Sequence, residues 1–406
     1  MKVQKLLFLL ILTLPVVGRS QNVTISARIV DKETGEALGF ASVGIKGVPI
    51  GTISNGAGEF DFHFPAEHRN DILVVSMMGY KNFESPVWSM LDNQQTIIQL
   101  EKSAIELQEI VVSDTLKGGD VLRIALSRIA QNYPMEPFMM DGFYRDVKKV
   151  GGTYISLLEA AVKIYDENYL EPRNKSKLRE RVRLVEVRQS LGYESKFTKY
   201  FDQDNLLEDL LLNNFVRYYH FEDDDSFLET LTRDKNSVYD DREMYVIRRV
   251  DGFSLSVYVD KADFAITHIE YEEDIRHDNV LSKKKDLVSK FVGQKKTIDF
   301  KRHNGKMFLN FISLTSKINW YDVETNALKF ETELFQQLLI NKVDPKPKER
   351  IGSTEKMRNY GLQYQDRPYN KAFWDNYNVI KDTPLDKQVL ADLEKIVPLD
   401  SQFQDY

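Results

Sequence analysis

Histidine supplies the first candidates for chemistry: His63, His68, His220, His268, His277 and His303. None lies in the H-E-x-x-H spacing that puts two zinc ligands on one helix face. His220 with Glu222, and His268 with Glu270, are two residues apart and would share one face of a strand. Two such groups fall short of the three protein ligands that catalytic zinc requires. Glu222-Asp223-Asp224-Asp225-Ser226 concentrates carboxylates but lacks the ligand alternation and the glycine of a calcium loop. The pair Glu272 and Glu273 could be proposed for glycosidic cleavage, yet among 62 acidic residues such pairs arise by chance. There is no cysteine, no G-x-S-x-G elbow and no S-x-x-K at a helix start beside supporting motifs, so nucleophilic catalysis has no anchor. Neither phosphate-cradling glycine motif occurs, and Gly56-Ala57-Gly58 reads as a turn. The expectation is therefore no catalytic residue, no cofactor and no metal; the enzyme alternative is a hydrolase of glycans or peptides with an unidentified acidic site.

Aromatic rings are the other resource: Trp88, Trp320, Trp374, 20 Tyr and 23 Phe. Alternating aromatics suit a buried sheet face, and exposed ones could stack on a sugar or line a lipid groove. Tyr258, Phe311, Trp320 and Tyr321 are the candidates for such a groove. A register slip of one residue exchanges the two faces of a strand, so which alternating set faces inward stays open.

The elements that would position these residues begin after a leader. Lys2 and Lys5 precede an apolar run from Leu6 to Val17, and small residues follow at Gly18 and Ser20. Residues 1–20 read as a signal peptide cleaved before Gln21, because the run is too short for a comfortable span. Loss of Lys2, Lys5 and Arg19 takes the net charge from −7 to −10, which argues against nucleic-acid binding. No later stretch approaches a membrane helix in length and apolarity. Without cysteine, neither a lipidated N-terminus nor disulfides are available, and stability must come from the cores.

Residues 21–100 are dense in strand signals. Val23, Ile25, Ala27 and Ile29 alternate with polar residues, and Ile53 to Phe62 reads as a hairpin through Asn55-Gly56-Ala57-Gly58. Ile72 to Met77 is continuously apolar, as a central strand would be, and Gly79-Tyr80 reads as a turn needing positive φ. Short strands, frequent turns and no helix predict an antiparallel β-sandwich.

Ile29-Val30-Asp31, Thr34 to Leu38, Ala41-Ser42-Val43, Gly51-Thr52, Asn55 to Phe60 and Ser76 to Tyr80 carry a family resemblance in this order. The stretch resembles the carboxypeptidase-regulatory-like domain, a transthyretin-like sandwich frequent at the N-termini of Bacteroidota envelope proteins and of starch-utilisation-type TonB-dependent receptors. Leu107 to Val112 looks like the segment that joins this domain to a receptor plug, but no plug motif follows. The resemblance implies an accessory sandwich without peptidase chemistry, in an exported protein of the periplasm or outer membrane.

Residues 101–117 read as a linker, and Gly118-Gly119 as the boundary of a second, α+β domain over residues 118–406. Asp120 to Asn132, Asn205 to Asn213 and Pro384 to Val397 have helical patterns. Between them run strands from Asp141 to Gln189 and a meander from Met244 to Asn341, whose short turns make successive strands antiparallel. Val257 to Asp260, Ile266 to Glu270 and Asn304 to Met307 give this meander the rhythm of the half-barrel of periplasmic lipoprotein carriers, which it loosely resembles. That likeness implies a curved antiparallel sheet with helices in its mouth, with or without a groove for an acyl chain. Function is thus expected to be binding or scaffolding in the envelope, with a protein, glycan or lipid as partner, or as the partner of an outer-membrane receptor or transport system.

Overall fold

The computed structural model describes residues 22–91, 96–103, 116–191, 197–201, 205–274, 280–357, 361–365, 367–381, 384–395 and 397–404. The leader at 1–20 and residues 104–115 of the joining segment lie outside them.

The first unit is a sandwich of β1 (Asn22–Asp31), β2 (Ser42–Ile45), β3 (Gly51–Ile53), β4 (Glu59–Pro65), β5 (Ile72–Ser76), β6 (Phe83–Pro86) and β7 (Thr96–Leu100). Its two sheets run β4-β1-β7 and β3-β2-β5-β6. Alternation places Ile25, Ala27 and Ile29 of β1 inward against Phe60, Phe62 and Phe64 of β4, and β5 is internal as its apolar run requires. All pairs are antiparallel except β1 with β7, which run parallel. The expected hairpin at Asn55–Gly58 is a corner instead: β3 pairs with β2 and β4 with β1, so the turn carries the chain between sheets. Asn55 Oδ1 holds the corner by accepting the N–H of Ala57 (2.9 Å) and of Glu59 (2.8 Å), with Gly58 at φ 77°. A turn signal fixes the local reversal but not the sheet to which the next strand belongs. Gly79 sits at φ 84° as expected.

The second unit is a single open sheet. Its strands are β8 (Phe138–Val150), β9 (Thr153–Asp166), β10 (Arg181–Gln189), β11 (Thr232–Arg233), β12 (Ser237–Tyr239) and β13 (Arg242–Arg249). They continue as β14 (Ser254–Asp260), β15 (Ile266–Glu273), β16 (Val280–Lys284), β17 (Leu287–His303), β18 (Lys306–Asp322) and β19 (Leu328–Asp344). The order is β10-β9-β8-β19-β18-β17-β15-β14-β13-β11, with β12 on β13 and β16 on β17. Every pair is antiparallel, and the ends do not meet to close a barrel. The β19–β8 pairing spans Thr332↔Val150 to Asp344↔Met139 and joins the two halves of the sheet.

One face of this sheet is covered by α1 (Gly118–Ser127), α2 (Ile129–Asn132), α3 (Leu206–Leu212) and α4 (Asp225–Glu229). Val121, Leu122, Leu207 and Leu210 pack there on Leu255, Val257, Ile312 and Leu338. The helix expected over Asp120–Asn132 is broken at Arg128 (φ −101°, ψ 10°), after Ser127, whose hydroxyl folds back onto Ile124 O at 2.7 Å. The opposite face carries the sandwich together with α5 (Lys371–Trp374), α6 (Pro384–Leu393) and α7 (Leu399–Gln404).

Gly118 and Gly119 open α1. A Cβ on Gly119 would sit 2.5 Å from Leu228 O, and one on Gly118 2.8 Å from Leu231 O. Only glycine admits this approach of α1 to α4. Gly119→Ala is therefore expected to lower unfolding stability by about 1–3 kcal/mol, the cost of overpacking, in urea titration. An unchanged midpoint would show that the two helices can part freely.

Candidate functional site

The four groove candidates do not share a cavity. Trp320 lies on the helix-covered face, four alternations beyond Ile312, and is buried against Tyr200 (4.9 Å) with Nε1 donating to Thr332 Oγ1 at 3.1 Å. Tyr258, Phe311 and Tyr321 point to the other face. Tyr258 meets His268 at 5.0 Å, Phe311 stacks on Phe40 of the sandwich at 5.7 Å, and Tyr321 lies 5.2 Å from the Lys290 ammonium. On the face where the half-barrel likeness would place an acyl chain, Leu255, Val257, Phe308 and Ile312 are all buried under the helices.

The histidine pairs part in the same way. His220 Nε2 contacts Leu212 O (2.8 Å) beside α3. His268 does approach Glu270, Nε2 to Oε1 at 3.4 Å, while its Nδ1 pairs with Asp299 at 2.5 Å. Burial alone would discharge this ring, but the two carboxylates reverse that and push its pKa up to about 10. The ring is thereby held as a cation between Asp299 and Glu270. Asp224 of the acidic run caps α4 by accepting Phe227 N–H at 3.1 Å. Among the described residues, no group of three or more His, Asp or Glu could hold a metal ion.

Three polar clusters lie in the body of the molecule. The first is a straight cross-strand row, Arg145↔Glu159↔Arg188 on β8, β9 and β10. Arg145 Nε donates to Glu159 Oε1 and Arg188 Nε to Oε2, both at 2.6 Å. Arg145 Nη2 also reaches Ile380 O at 3.0 Å, and Arg188 lies 4.4 Å over the Trp374 ring. Burial would raise the Glu159 pKa, but the two guanidinium groups outweigh it and hold the carboxyl below its ordinary range. Above the row, between the sheet and helices α6 and α7, lies a half-open cavity of about 280 Å³.

The second cluster sits where β9 ends. Arg217 grips Asp166 with Nε (2.5 Å) and Nη2 (3.0 Å), and Glu180 takes the Tyr218 hydroxyl. Two buried carboxylates share one guanidinium. Burial and the Asp166 charge push Glu180 up to about 7, against the pull of Arg217.

The third lies between sandwich and sheet. Lys301 Nζ donates to Ser42 Oγ at 2.9 Å, and burial lowers its pKa against the opposing charge of Asp240. Asp240 and Asp241, at φ 53° and 56°, form the tight turn between β12 and β13, and Asn82 of the sandwich binds both carboxylates. The cleft beside Lys301 measures about 340 Å³.

None of these clusters was singled out by motif. Glu159, between Leu157-Leu158 and Ala160-Ala161, carries one legible signal, a lone charge within an apolar stretch, whereas Arg145 stands beside Asp146 and carries none. Their meeting depends on register.

With this geometry in place, residues 25–112 match the CarboxypepD_reg-like domain family, as the motifs from Ile29 to Tyr80 implied. The match extends past Leu100 to Val112. No curated protein matches the chain. Among solved structures, a DUF1329 family protein from Desulfovibrio piger aligns at 11% identity and TM-score 0.20, covering 55% of this chain and 92% of its own. The Pseudomonas aeruginosa MucA/MucB complex aligns at 8% and 0.18, covering 57% and 99%. A membrane-associated protein of unknown function from Bacteroides fragilis gives 11% and 0.16, covering 79% and 98%. Scores at this level add nothing to the topology described above.

Glu180 sets a pH dependence whose sign follows from its raised pKa. The folded chain retains the Glu180 proton up to about pH 7, whereas an unfolded carboxyl loses it near 4.5. This group's stability is complete below the unfolded value and is lost as pH rises through the folded one. Glu180→Gln, which keeps an acceptor for Tyr218, is expected to raise the melting temperature at pH 8 relative to the parent and to change it little at pH 4.5. An equal effect at both pH values would mean that Glu180 is ionised throughout.

Proposed function

We propose that this chain is exported into the bacterial cell envelope and acts there as a non-catalytic scaffold, its sandwich and sheet held as one platform for a protein partner. The observation that carries this reading is the joint between the two units. Phe40 stacks on Phe311, Ile50 bridges to Lys342, and Val343 N–H donates to Pro49 O at 2.9 Å. Asn378 then spans both: its side chain accepts His63 N–H (2.7 Å) and donates to His63 O (2.9 Å), while its own carbonyl accepts Asn341 Nδ2 (2.8 Å). A joint made by ring packing, backbone pairing and a side-chain clamp fixes orientation, which a scaffold needs and a flexibly tethered binding module does not. Export is supported by the leader pattern at residues 1–20 and by the family of the sandwich. No helix among the described residues is long and apolar enough to cross a membrane.

Two measurements test the reading. N-terminal sequencing of protein recovered from the envelope should begin at Gln21; a cytoplasmic pool retaining Met1 would end the export proposal. With a protease site inserted after Val112, the cleaved halves should co-elute on size exclusion, and Phe311→Asp should separate them. Cleaved parent protein that elutes as two species would remove the platform.

A further inference from the structure

The dipeptide Asn-Gly occurs twice in the chain, at Asn55-Gly56 and at Asn304-Gly305. Both lie in turns, but the two side-chain amides stand in opposite surroundings. Asn55 is wholly buried at the corner of the sandwich, where its Oδ1 accepts the N–H of Ala57 and of Glu59. Its glycine is hemmed in as well, because a Cβ on Gly39 would sit 3.0 Å from Gly56 Cα. Asn304 and Gly305 form the tight turn between β17 and β18, closed by the pair His303↔Lys306. Both are exposed, at φ 50° and 79°. A Cβ on Gly305 would meet nothing within 4 Å, and no hydrogen bond holds the Asn304 side chain among the described residues.

This contrast has a chemical meaning. The backbone nitrogen that follows an asparagine can close a ring on the side-chain Cγ. A side chain on that next residue crowds the nitrogen, and glycine removes the obstacle. Ring closure also requires the asparagine to swing out of its left-handed conformation, so the turn must open. A hairpin tip in solvent opens locally, whereas a buried corner opens only with the sheets it joins. The tip of β17 and β18 also belongs to the joint between the two units. Asn304 lines the cleft of about 340 Å³ there, with Asp240, Asp241, Lys301 and the sandwich residues from Gly44 to Pro49.

We propose that Asn304 is a site of self-modification, where attack by the Gly305 nitrogen on the side-chain carbonyl ends by placing a carboxylate in the cleft between sandwich and sheet. The N–Cγ bond forms, the Cγ–Nδ2 bond breaks, and ammonia leaves with the proton of the Gly305 amide. Water then opens the succinimide at either carbonyl. One opening gives aspartate. The other gives isoaspartate, whose main chain runs through the side-chain carbons and lengthens the turn. No reactant other than water is consumed. The new carboxylate joins Asp240 and Asp241, so the charge of the cleft changes with the age of the molecule. The proposal does not rest on the scaffold reading, and its failure would leave that reading as it stands.

Incubation of the full chain at pH 8, folded and in urea, followed by peptide mass mapping, tests it. In the folded protein the fragment holding Asn304 should gain the mass of an amide-to-acid change and should be labelled by isoaspartyl methyltransferase. The Asn55 fragment should convert more slowly by at least roughly tenfold, the factor set by two hydrogen bonds of ordinary strength. In urea both fragments should convert at similar rates. Asn304→Gln, whose longer side chain closes the ring poorly, should leave its fragment unchanged in mass. An Asn304 amide that persists in the folded chain overturns the proposal. So does conversion of both sites at one rate in the folded chain, since global unfolding would then be the cause. Aspartate without isoaspartate would mean direct hydrolysis and overturns the ring closure. A mass gain that survives in Asn304→Gln places the reaction at another amide and overturns it too.

Discussion

A sheet of this width that does not close has two apolar faces, and both must be withdrawn from water. The rest of the structure follows from that requirement. The strands β8, β9, β18 and β19 each contain a stretch buried on both sides, where inward alternation gives way to consecutive buried residues, as in Phe143 to Val147, Leu157 to Val162, Met307 to Ile312 and Leu338 to Ile340. Helices α1 to α4 meet the need on one face. On the other, the sandwich covers the region around Phe311 and Leu339, and the segment after β19 covers Val147, Leu157 and Phe143. The N-terminal domain is thus part of the shielding of the larger one.

Burial on both faces also decides how charge is arranged. Two triads on this sheet have opposite composition. In Arg145–Glu159–Arg188 two guanidinium groups hold one carboxylate, and in Asp166–Arg217–Glu180 two carboxylates face one guanidinium. The second can adjust by keeping a proton on Glu180. The first has no such adjustment, because guanidinium does not deprotonate in this range. It is also the triad that borders a void and lies under aromatic rings, where a positive charge gains from the ring faces. The same sheet therefore holds one buried charge that adapts to pH and one that does not.

Much of this architecture was legible in the sequence because periodicity and turn chemistry act locally. The alternation in β1, the short turns of the meander, the helical pattern from Asn205 to Asn213 and the positive φ of Gly79 were all readable residue by residue. What escaped depends on which elements meet. Asn55–Gly58 is a sound turn signal, but its two strands go to different sheets, a choice made by β1 and β2 elsewhere in the chain. Gly118 and Gly119 read as the start of the second unit, but their close approach to Leu228 and Leu231 has no local signal. Tyr258, Phe311, Trp320 and Tyr321 are aromatic in alternating strands, yet their sides of the sheet are set by a register that bulges in β17 and β19 shift. The triads are invisible for the same reason, since each takes its members from three separated segments.

Asn378 clamps two surfaces that precede it in the chain, the outer edge of β4 and the bulge of β19 at Asn341. Its side-chain amide gives His63 the donor and acceptor that a neighbouring strand would have given, so the edge of the sandwich is closed by one residue. Synthesis proceeds from the N-terminus, and the sandwich can fold long before this residue exists. Until it is made, the β4 edge is open to any other extended chain, and the face bearing Arg145 and Arg188 has no cover. The nascent protein passes through a stage in which the sandwich is complete in itself but still adhesive, and the latch that ends that stage is synthesised after every strand it holds.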